Sequence, residues 1–413
     1  MSQRESNKWG VPVFRMLNRP TREPRSTGAW RRGVIAAAMV SVAAAGVAVA
    51  GVASADVSKA GTGNGRDRTL QAALDAAVED GTLPGALMSV RDRHGRVTNY
   101  TAGVGDIRTR AKVPTDGYVR IASNTKMFTA VVILQLVGEG AIALTDPVEK
   151  FLPGVLRGTG DGAAIDGRRI TIGQLLQHTS GLGTYTFLDK GILPIRNRFF
   201  EPRELLDSAL TQPPTYTPGE DPVWEYSNAG YVALGLVAQQ VTGRPLAEVI
   251  TDRILKPAGL RETYYPGPGQ RGIRSPHLQG YLFAQDGKLL DITRFDPSIA
   301  GAAGQMIATS TDMNKFLVAL QEGRLLKPRE LANMRRTVSA PGLPEGWSYG
   351  LGTIKFELSC GVTAYGHGGD ADGFQSRVGI TTDGRAVTLV GTNEDAKVDE
   401  LLALFDKALC AGR

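Results

Sequence analysis

Apolar residues near both ends of the predicted domain, 70–102 and 362–409, alternate between helical and strand-like spacing. Residues 70–78 carry apolar side chains at helical spacing, which predicts a first helix. Two short apolar runs, 86–90 and 97–102, flank a polar turn over 91–95, a pattern typical of a β-hairpin. A last amphipathic segment over 398–409 predicts a C-terminal helix. Strand-like runs precede it at 362–365, 375–381 and 386–393.

The strongest helical signal covers residues 123–137. Apolar side chains surround most of this helix: Met127, Phe128, Val131, Val132, Leu134 and Leu136. A helix that is apolar nearly all round is buried inside a protein rather than lying on its surface. From about 140 to 300 the sequence alternates between helical segments and long loops rich in proline and glycine.

Strands at both ends that enclose a helical middle predict one α/β domain over residues 70–413. An antiparallel sheet would be built from both termini, about 70–122 and 300–413, and flanked by helices. A mostly helical part, about 123–300, would be inserted between them.

The first residues are typical of an export signal. Arg31 and Arg32 precede an uncharged run of small apolar residues over 33–52, and the small residues before Asp56 offer a cleavage site after Ala55. We therefore predict a signal peptide over 1–55, a flexible leader over 56–69, and a secreted protein. The alternative is an uncleaved membrane anchor formed by 33–52.

Charge and composition narrow the class further. The formal net charge of +6 comes from 47 basic and 41 acidic residues, but residues 1–55 alone hold 8 basic and 2 acidic ones. The remainder is neutral, with 39 residues of each sign. A nucleic-acid-binding function therefore loses its main support. A hydrophobic fraction of 42% is that of an ordinary globular protein.

Cysteine and histidine usage favours a disulfide over a metal site. The chain has two cysteines, Cys360 and Cys410, which predict one disulfide in an oxidising compartment. The four histidines are widely scattered, and no metal-ligand spacing such as H-E-x-x-H occurs. We expect neither a metal nor a cofactor.

Three short motifs carry the candidate chemistry. Ser123 and Lys126 stand three apart at the start of the buried helix, where a lysine amine can reach a serine hydroxyl. Tyr226 and Asn228 form a Tyr-x-Asn motif about 100 residues later. The motif His367-Gly368-Gly369-Asp370 follows a predicted strand near the C-terminus. Each motif is weak alone; their order and spacing together are specific.

These motifs resemble those of the penicillin-recognising serine hydrolases, in which Ser-x-x-Lys, Tyr-x-Asn and a Lys/His-x-Gly triplet occur in this order. The stretches 175–182 and 310–313 are also similar to that family. The resemblance covers residues 70–410 and is greatest to class C β-lactamases and to exported D-alanyl-D-alanine carboxypeptidases of actinobacteria. It implies the β-lactamase/DD-peptidase fold.

The resemblance assigns a role to each motif residue. Ser123 would be the nucleophile, Tyr226 its base and later proton donor, and Lys126 the support for both. Asn228 would bind the substrate's amide carbonyl, and His367 would exchange protons with Tyr226. We interpret His178, within 175–182, as structural.

The glycine motif would form the substrate-binding strand. Gly368 and Gly369 would allow a substrate backbone to approach the strand edge closely. The backbone N–H groups of Ser123 and Asp370 would form the oxyanion hole.

We therefore predict an exported serine hydrolase that works through an acyl-Ser123 intermediate, similar to a D-Ala-D-Ala carboxypeptidase. Alternatives are a β-lactamase, a D-amino-acid amidase or an esterase of the same fold, and a catalytically silent binding protein. Its substrate would be a small peptide, amide, ester or β-lactam, including a peptidoglycan stem peptide. We expect a monomer that touches a membrane only if the leader is uncleaved.

Carboxypeptidase activity needs groups that recognise a free carboxylate. The related enzymes use an arginine before the Leu-Ser-Cys stretch, whose place here falls at Ile354, with Lys355 beside it. They also use a hydroxyl residue where this chain has Asp370, which would repel a carboxylate. The sequence therefore predicts that uncharged esters or D-amino-acid amides are better substrates than acyl-D-Ala-D-Ala.

Overall fold

The computed structural model describes residues 63–216 and 223–412 of the 413-residue chain. The predicted signal peptide, its cleavage site and the first half of the predicted leader lie outside these residues, so export stays a prediction. The first helix begins at Gly63, which makes 63–69 helical rather than part of a flexible leader. Within the described ranges, no helix is both long enough and apolar enough to cross a bilayer.

Ten α-helices occur in the described part of the chain. In chain order they are α1 (Gly63–Val78), α2 (Thr125–Gly138), α3 (Ile172–Gln177), α4 (Pro202–Ala209), α5 (Asn228–Thr242), α6 (Leu246–Ile250), α7 (Lys256–Ala258), α8 (Ser310–Gln321), α9 (Pro328–Met334) and α10 (Val398–Cys410). A π-helical turn, Thr251–Leu255, joins α6 to α7, and a 3₁₀ turn, Ala122–Asn124, directly precedes α2.

Fourteen strands occur in the same described residues. They are β1 (Gly85–Arg91), β2 (Val97–Asp106), β3 (Ala111–Lys112), β4 (Val119–Arg120), β5 (Thr263–Tyr264), β6 (Tyr281–Phe283), β7 (Leu289–Asp291), β8 (Ile307–Ala308), β9 (Val338–Ser339), β10 (Trp347–Tyr349), β11 (Ile354–Glu357), β12 (Thr363–Ala371), β13 (Phe374–Thr381) and β14 (Ala386–Gly391). Nine of them form one sheet in the order β3-β2-β1-β14-β13-β12-β11-β10-β9.

The large sheet is antiparallel and joins the two ends of the chain. Strand β1 pairs with β14, so the N-terminal hairpin and the C-terminal meander share one sheet, as the sequence predicted. Helix α8 packs on one face, where Asn314 hydrogen-bonds to Ser89 and Thr388. Helices α1 and α10 cover the other face.

Helix α2 lies at the centre of the main hydrophobic core. Every side chain from Thr125 to Leu134 is buried, as its all-round apolar sequence predicted. It packs against α5, α6 and α9, and its N-terminal turn contacts β12 and β13. The start of the buried helix is therefore held against the sheet.

Strand β12 leaves part of its edge unpaired. Its register with β11 ends at the pair Ile354–Gly366, whereas its register with β13 continues to Ala371. Residues 367–371 therefore have a strand neighbour on one side only. An open edge of this kind can bind the backbone of an extended ligand.

A disulfide joins Cys360, in the turn before β12, to Cys410, the last residue of α10. The sequence predicted this pair. It fastens the final helix to the sheet and closes a loop of 50 residues.

Removing this disulfide with the double variant Cys360→Ser, Cys410→Ser is expected to lower the free energy of unfolding by about 3–4 kcal/mol. The reason is that the unfolded chain gains conformational entropy when the cross-link is absent. Urea unfolding followed by circular dichroism measures the difference. Two free thiols in protein purified without reductant, or an unchanged unfolding free energy, would contradict the pairing.

Candidate active site

Ser123 lies in a sharp turn that points it out of the buried helix. The preceding residue, Ala122, has a left-handed φ of 46°, which is rare for a residue with a side chain. Asn124 secures the turn, because its side-chain amide donates to the carbonyl of Ile121 and to the hydroxyl of Ser376, each at 2.8 Å. The turn that presents Ser123 is thereby tied to strand β13.

Gly369 allows this turn to lie directly against β12. A Cβ atom at Gly369 would come within 2.2 Å of the carbonyl oxygen of Ile121 and 2.5 Å of the side-chain nitrogen of Asn124. No larger residue fits without displacing backbone. The second glycine of the motif therefore brings the strand edge next to the serine.

Lys126 is fully buried one helical turn after Ser123. Its Nζ lies 3.1 Å from the Ser123 hydroxyl, 2.7 Å from Asn228 Oδ1 and 2.9 Å from the carbonyl oxygen of Ala303. Burial holds the pKa of Lys126 well below its usual value. The structure thus joins the Ser-x-x-Lys and Tyr-x-Asn motifs through one amine.

The neutral form of Lys126 fits these three contacts. A neutral amine has two N–H groups and one lone pair, and the two carbonyl oxygens can only accept. Both N–H groups then go to Asn228 and Ala303, which leaves the lone pair for the Ser123 hydroxyl proton. This geometry suits Lys126 as a base for Ser123.

Tyr226 lies beside the serine on the segment that leads into α5. Ser227 caps that helix by accepting from the N–H of Gly230, which fixes where the segment ends. The ring of Tyr226 is 4.7 Å from Lys126 Nζ, measured to the ring centroid. Its buried hydroxyl has no hydrogen bond of normal geometry to any described residue.

Tyr226 holds its proton firmly. Burial raises the pKa of Tyr226 well above its usual value, and the carboxylate of Asp370 adds to the effect, whereas the hydroxyl of Ser123 opposes it. The phenol therefore keeps its proton at neutral pH. It suits a proton donor better than the base that the resemblance implies.

Asn228 has one side-chain group left for a ligand. Its Oδ1 accepts from Lys126, so its NH₂ group is the one that can donate to a substrate carbonyl. This placement agrees with the predicted contact to the substrate amide.

His367 lies near Tyr226 but does not hydrogen-bond to it. The ring centroids are 6.4 Å apart, and the two ring nitrogens of His367 contact the Tyr349 hydroxyl at 3.0 Å and the carbonyl oxygen of Gly368. Burial lowers the pKa of His367 to about 3, so the ring is neutral. The tyrosine that can exchange protons with His367 is Tyr349, not Tyr226 as predicted.

The open edge of β12 faces the reaction centre. The carbonyl of Gly366 points toward β11, where it accepts from Thr353. Because successive strand residues point their backbone groups to alternate sides, Gly368 and Asp370 point theirs to the unpaired edge. The N–H of Asp370 is thus directed as an oxyanion hole requires.

Asp370 forms an ion pair that the sequence did not reveal. Its Oδ1 accepts from Arg377 Nη1 at 2.8 Å, and its side chain is 24% exposed against 3% for Arg377. The carboxylate is therefore partly neutralised, yet it is the more exposed member of the pair. The predicted substitute cation, Lys355, forms its ion pair with Glu357 on its own strand β11 and not with Asp370.

Sequence reasoning missed Arg377, Tyr349 and the carbonyl of Ala303. The signal for Arg377 was a lone charge inside the apolar strand β13. Tyr349 lies on a three-residue strand outside every motif, and the position of a backbone carbonyl cannot be predicted from residue types.

Among the residues described, no three His, Cys, Asp or Glu side chains are grouped so that they could hold a metal ion.

Acyl transfer to a serine needs a base on its hydroxyl and N–H groups for the oxyanion, and both meet where α2 touches β12. Fold and site together define a serine hydrolase with the β-lactamase/DD-peptidase architecture, which confirms the predicted fold class. The chain belongs to the Beta-lactamase family, which it matches over residues 70–411.

Proteins similar to this chain include an amidohydrolase, a penicillin-binding protein and an esterase. A solved structure of a D-stereospecific amidohydrolase from Streptomyces sp. is 39% identical with a TM-score of 0.75, and the match covers 84% of this chain and 99% of that one. Penicillin-binding protein 4 of Amycolatopsis lactamdurans is 28% identical over 354 residues, 82% of this chain and 88% of the relative. Esterase EstB of Burkholderia gladioli is 30% identical over 312 residues, 68% of this chain and 78% of the relative.

Proposed function

We propose that this protein hydrolyses amides and esters of D-amino acids through an acyl-Ser123 intermediate. The observation that carries the substrate class is the carboxylate of Asp370, which is the more exposed member of its ion pair beside the open strand edge. A negative group at that place disfavours a substrate with a free carboxylate and tolerates an uncharged leaving group. The similarity to a D-stereospecific amidohydrolase and to an esterase supports the same class.

Acylation begins with proton transfer from the Ser123 hydroxyl to Lys126. As Oγ bonds to the substrate carbonyl carbon, the carbonyl oxygen becomes an oxyanion. The N–H groups of Ser123 and Asp370 donate to it, which stabilises the charge where it develops. The NH₂ group of Asn228 donates to a second carbonyl where the substrate has one.

Departure of the leaving group requires a proton. When the bond from the carbonyl carbon to the leaving nitrogen or oxygen breaks, the Tyr226 hydroxyl donates to that atom. Lys126 is then an ammonium and Tyr226 a phenolate, and their closeness lets the opposite charges stabilise each other. The acyl group remains on Ser123.

Water then hydrolyses the acyl-enzyme and returns the protons to Tyr226 and Ser123. It loses a proton to the Tyr226 phenolate and attacks the acyl carbon as hydroxide. When the bond between that carbon and Ser123 Oγ breaks, Oγ takes its proton back from the Lys126 ammonium. The acid is released, and all three side chains return to their starting protonation states.

This function predicts a ranking of substrates. The kcat/KM for D-phenylalanine amide and its methyl ester should exceed that for a diacetyl-Lys-D-Ala-D-Ala peptide by about tenfold or more, because each missing or repulsive contact to the carboxylate costs on the order of 1–3 kcal/mol. The L-amino-acid forms serve as the stereochemical control. Asp370→Thr should narrow the gap, because it removes the carboxylate next to Arg377 and supplies a hydroxyl donor.

Efficient release of D-alanine by the wild-type protein, with no further gain in Asp370→Thr, would contradict this assignment. It would favour the carboxypeptidase that the sequence resemblance first implied.

A further inference from the structure

Three buried side chains connect the segment that carries Tyr226 with the strand that carries the open edge. They are His178 at the end of α3, Tyr349 on β10 and His367 on β12. We propose that these residues form a hydrogen-bonded relay that positions Tyr226 as proton donor to the leaving group. The proposal rests on the proposed function, because it takes Tyr226 as that donor.

One backbone group fixes the direction of every hydrogen bond in the relay. The N–H of Ser227 can only donate, so the Nδ1 of His178 accepts from it, at 3.1 Å. The proton of a neutral His178 ring is then on Nε2 and goes to the Tyr349 hydroxyl, 3.1 Å away. Tyr349 therefore donates to His367 Nε2 at 3.0 Å. The remaining proton of His367, on Nδ1, goes to the carbonyl of Gly368.

The electrostatic surroundings keep both histidines neutral, as this direction requires. Burial lowers the pKa of both His178 and His367, and the charge of Arg377 acts on His367 in the same sense. The groups that face Tyr349 are the uncharged phenols of Tyr226 and Tyr231.

His178 hydrogen-bonds to the residues directly before and after Tyr226. Its backbone carbonyl accepts from the N–H of Glu225 at 2.9 Å, and its ring accepts from the N–H of Ser227. Its ring also packs against the ring of Tyr226, with centroids 4.3 Å apart. The placement of the Tyr226 hydroxyl thus depends on the orientation of the His178 ring.

Tyr349 sets that orientation. The three relay side chains are at most 2% exposed, so no bulk water replaces a partner that is removed. Without the Tyr349 hydroxyl, His178 Nε2–H and His367 Nε2 would both be buried without a partner, and the His178 ring would be free to tilt. Tyr349 hydrogen-bonds to the side chains of His178 and His367 and has no hydrogen bond to Ser123 among the described residues, so it is a positioning residue.

The test compares two esters that give the same acyl-enzyme. A p-nitrophenolate leaves without a proton, whereas a methoxide needs one, so only the methyl ester depends on a well-placed Tyr226. In Tyr349→Phe, kcat/KM for D-phenylalanine methyl ester should fall about 10- to 100-fold. For the p-nitrophenyl ester it should change by less than about threefold, because general acid catalysis is not needed there.

Two further variants complete the test. Tyr281→Phe also removes a tyrosine hydroxyl, but one that lies outside the relay and accepts from the N–H of Ile107 at 2.9 Å, so it should leave the hydrolysis of both esters unaffected. His178→Asn keeps an acceptor for Ser227 but loses the donor to Tyr349, so it should repeat the selective loss if Tyr349→Phe does not fold.

Equal losses for both esters in a folded variant, or no loss for either, would overturn the relay. If the wild-type protein hydrolyses the p-nitrophenyl ester but no methyl ester, the proposed function is wrong. That result comes from the wild-type protein alone, so it is distinguishable from a failure of the relay, which only the variants reveal.

Discussion

Replacing Ser123 by alanine is expected to reduce the hydrolysis of D-phenylalanine methyl ester by about 10³-fold or more, because the acyl-enzyme cannot form without its nucleophile. The same variant should lose all covalent labelling by a fluorophosphonate. Ser123 is the serine whose hydroxyl lies at 3.1 Å from the buried amine of Lys126, which is the activation that an alcohol needs.

The Ser123 experiment has a matched control in Ser208→Ala. Ser208 lies in the last turn of α4 and is partly exposed, and among the described residues the hydrogen bonds of its hydroxyl are to Thr186. That variant should keep wild-type rates and labelling. Labelling of Ser123→Ala at another serine would show that the nucleophile has been wrongly assigned.

Replacing Lys126 by methionine is expected to lower kcat/KM by about 10²- to 10⁴-fold, the usual contribution of a general base. Methionine fills nearly the same buried volume without the amine, so the fold should be retained or stabilised, as removal of a buried ionisable group often allows. Circular dichroism and thermal unfolding establish that the variant is folded. The control is Lys355→Met, which replaces a partly exposed lysine that is paired with Glu357, and it should retain wild-type ester hydrolysis.

Lys126 also predicts the pH dependence of the wild-type enzyme. A base acts only when unprotonated, and burial holds the pKa of Lys126 below its ordinary 10.5. Activity should therefore be present above that lowered pKa and should fall as the pH decreases through it. In Lys126→Met the residual activity should lose this acid limb. A folded Lys126→Met variant with wild-type rate and pH profile would show that another group is the base.

Local patterns predicted the parts of the fold that rely on long, regular segments. The all-round apolar character of 123–137 predicted both the position and the burial of α2, and short strand-like runs predicted β1, β2, β13 and β14. Strands β4 to β8 hold two or three residues each, too few for a periodic signal, and exist because neighbouring segments pair with them. The early start of α1 at Gly63 likewise lacks an apolar pattern.

The site was predictable where chemistry requires a residue type at a fixed spacing. Ser123 and Lys126 meet because they lie on one helical turn, and Asn228 joins them as its motif implied. The partners of His367 and Asp370 were not predictable. Tyr349 and Arg377 reach them from other strands, and only the folded sheet brings those strands into register.

The ion pair of Asp370 changes the reason for the substrate prediction, not its direction. The sequence suggested an isolated anion that repels a carboxylate. In the structure, Arg377 partly neutralises that anion, and what remains is its greater exposure compared with the almost fully buried guanidinium. The proposed substrate preference therefore rests on the greater exposure of Asp370 compared with Arg377.

The central claim, an acyl-enzyme on Ser123, is tested most directly by mass spectrometry of the whole protein after reaction with a fluorophosphonate, followed by peptide mapping. The account predicts one adduct per chain, located on the peptide that contains Ser123 and absent from Ser123→Ala. An adduct on a different residue, or no adduct on folded wild-type protein that still hydrolyses esters, would contradict it.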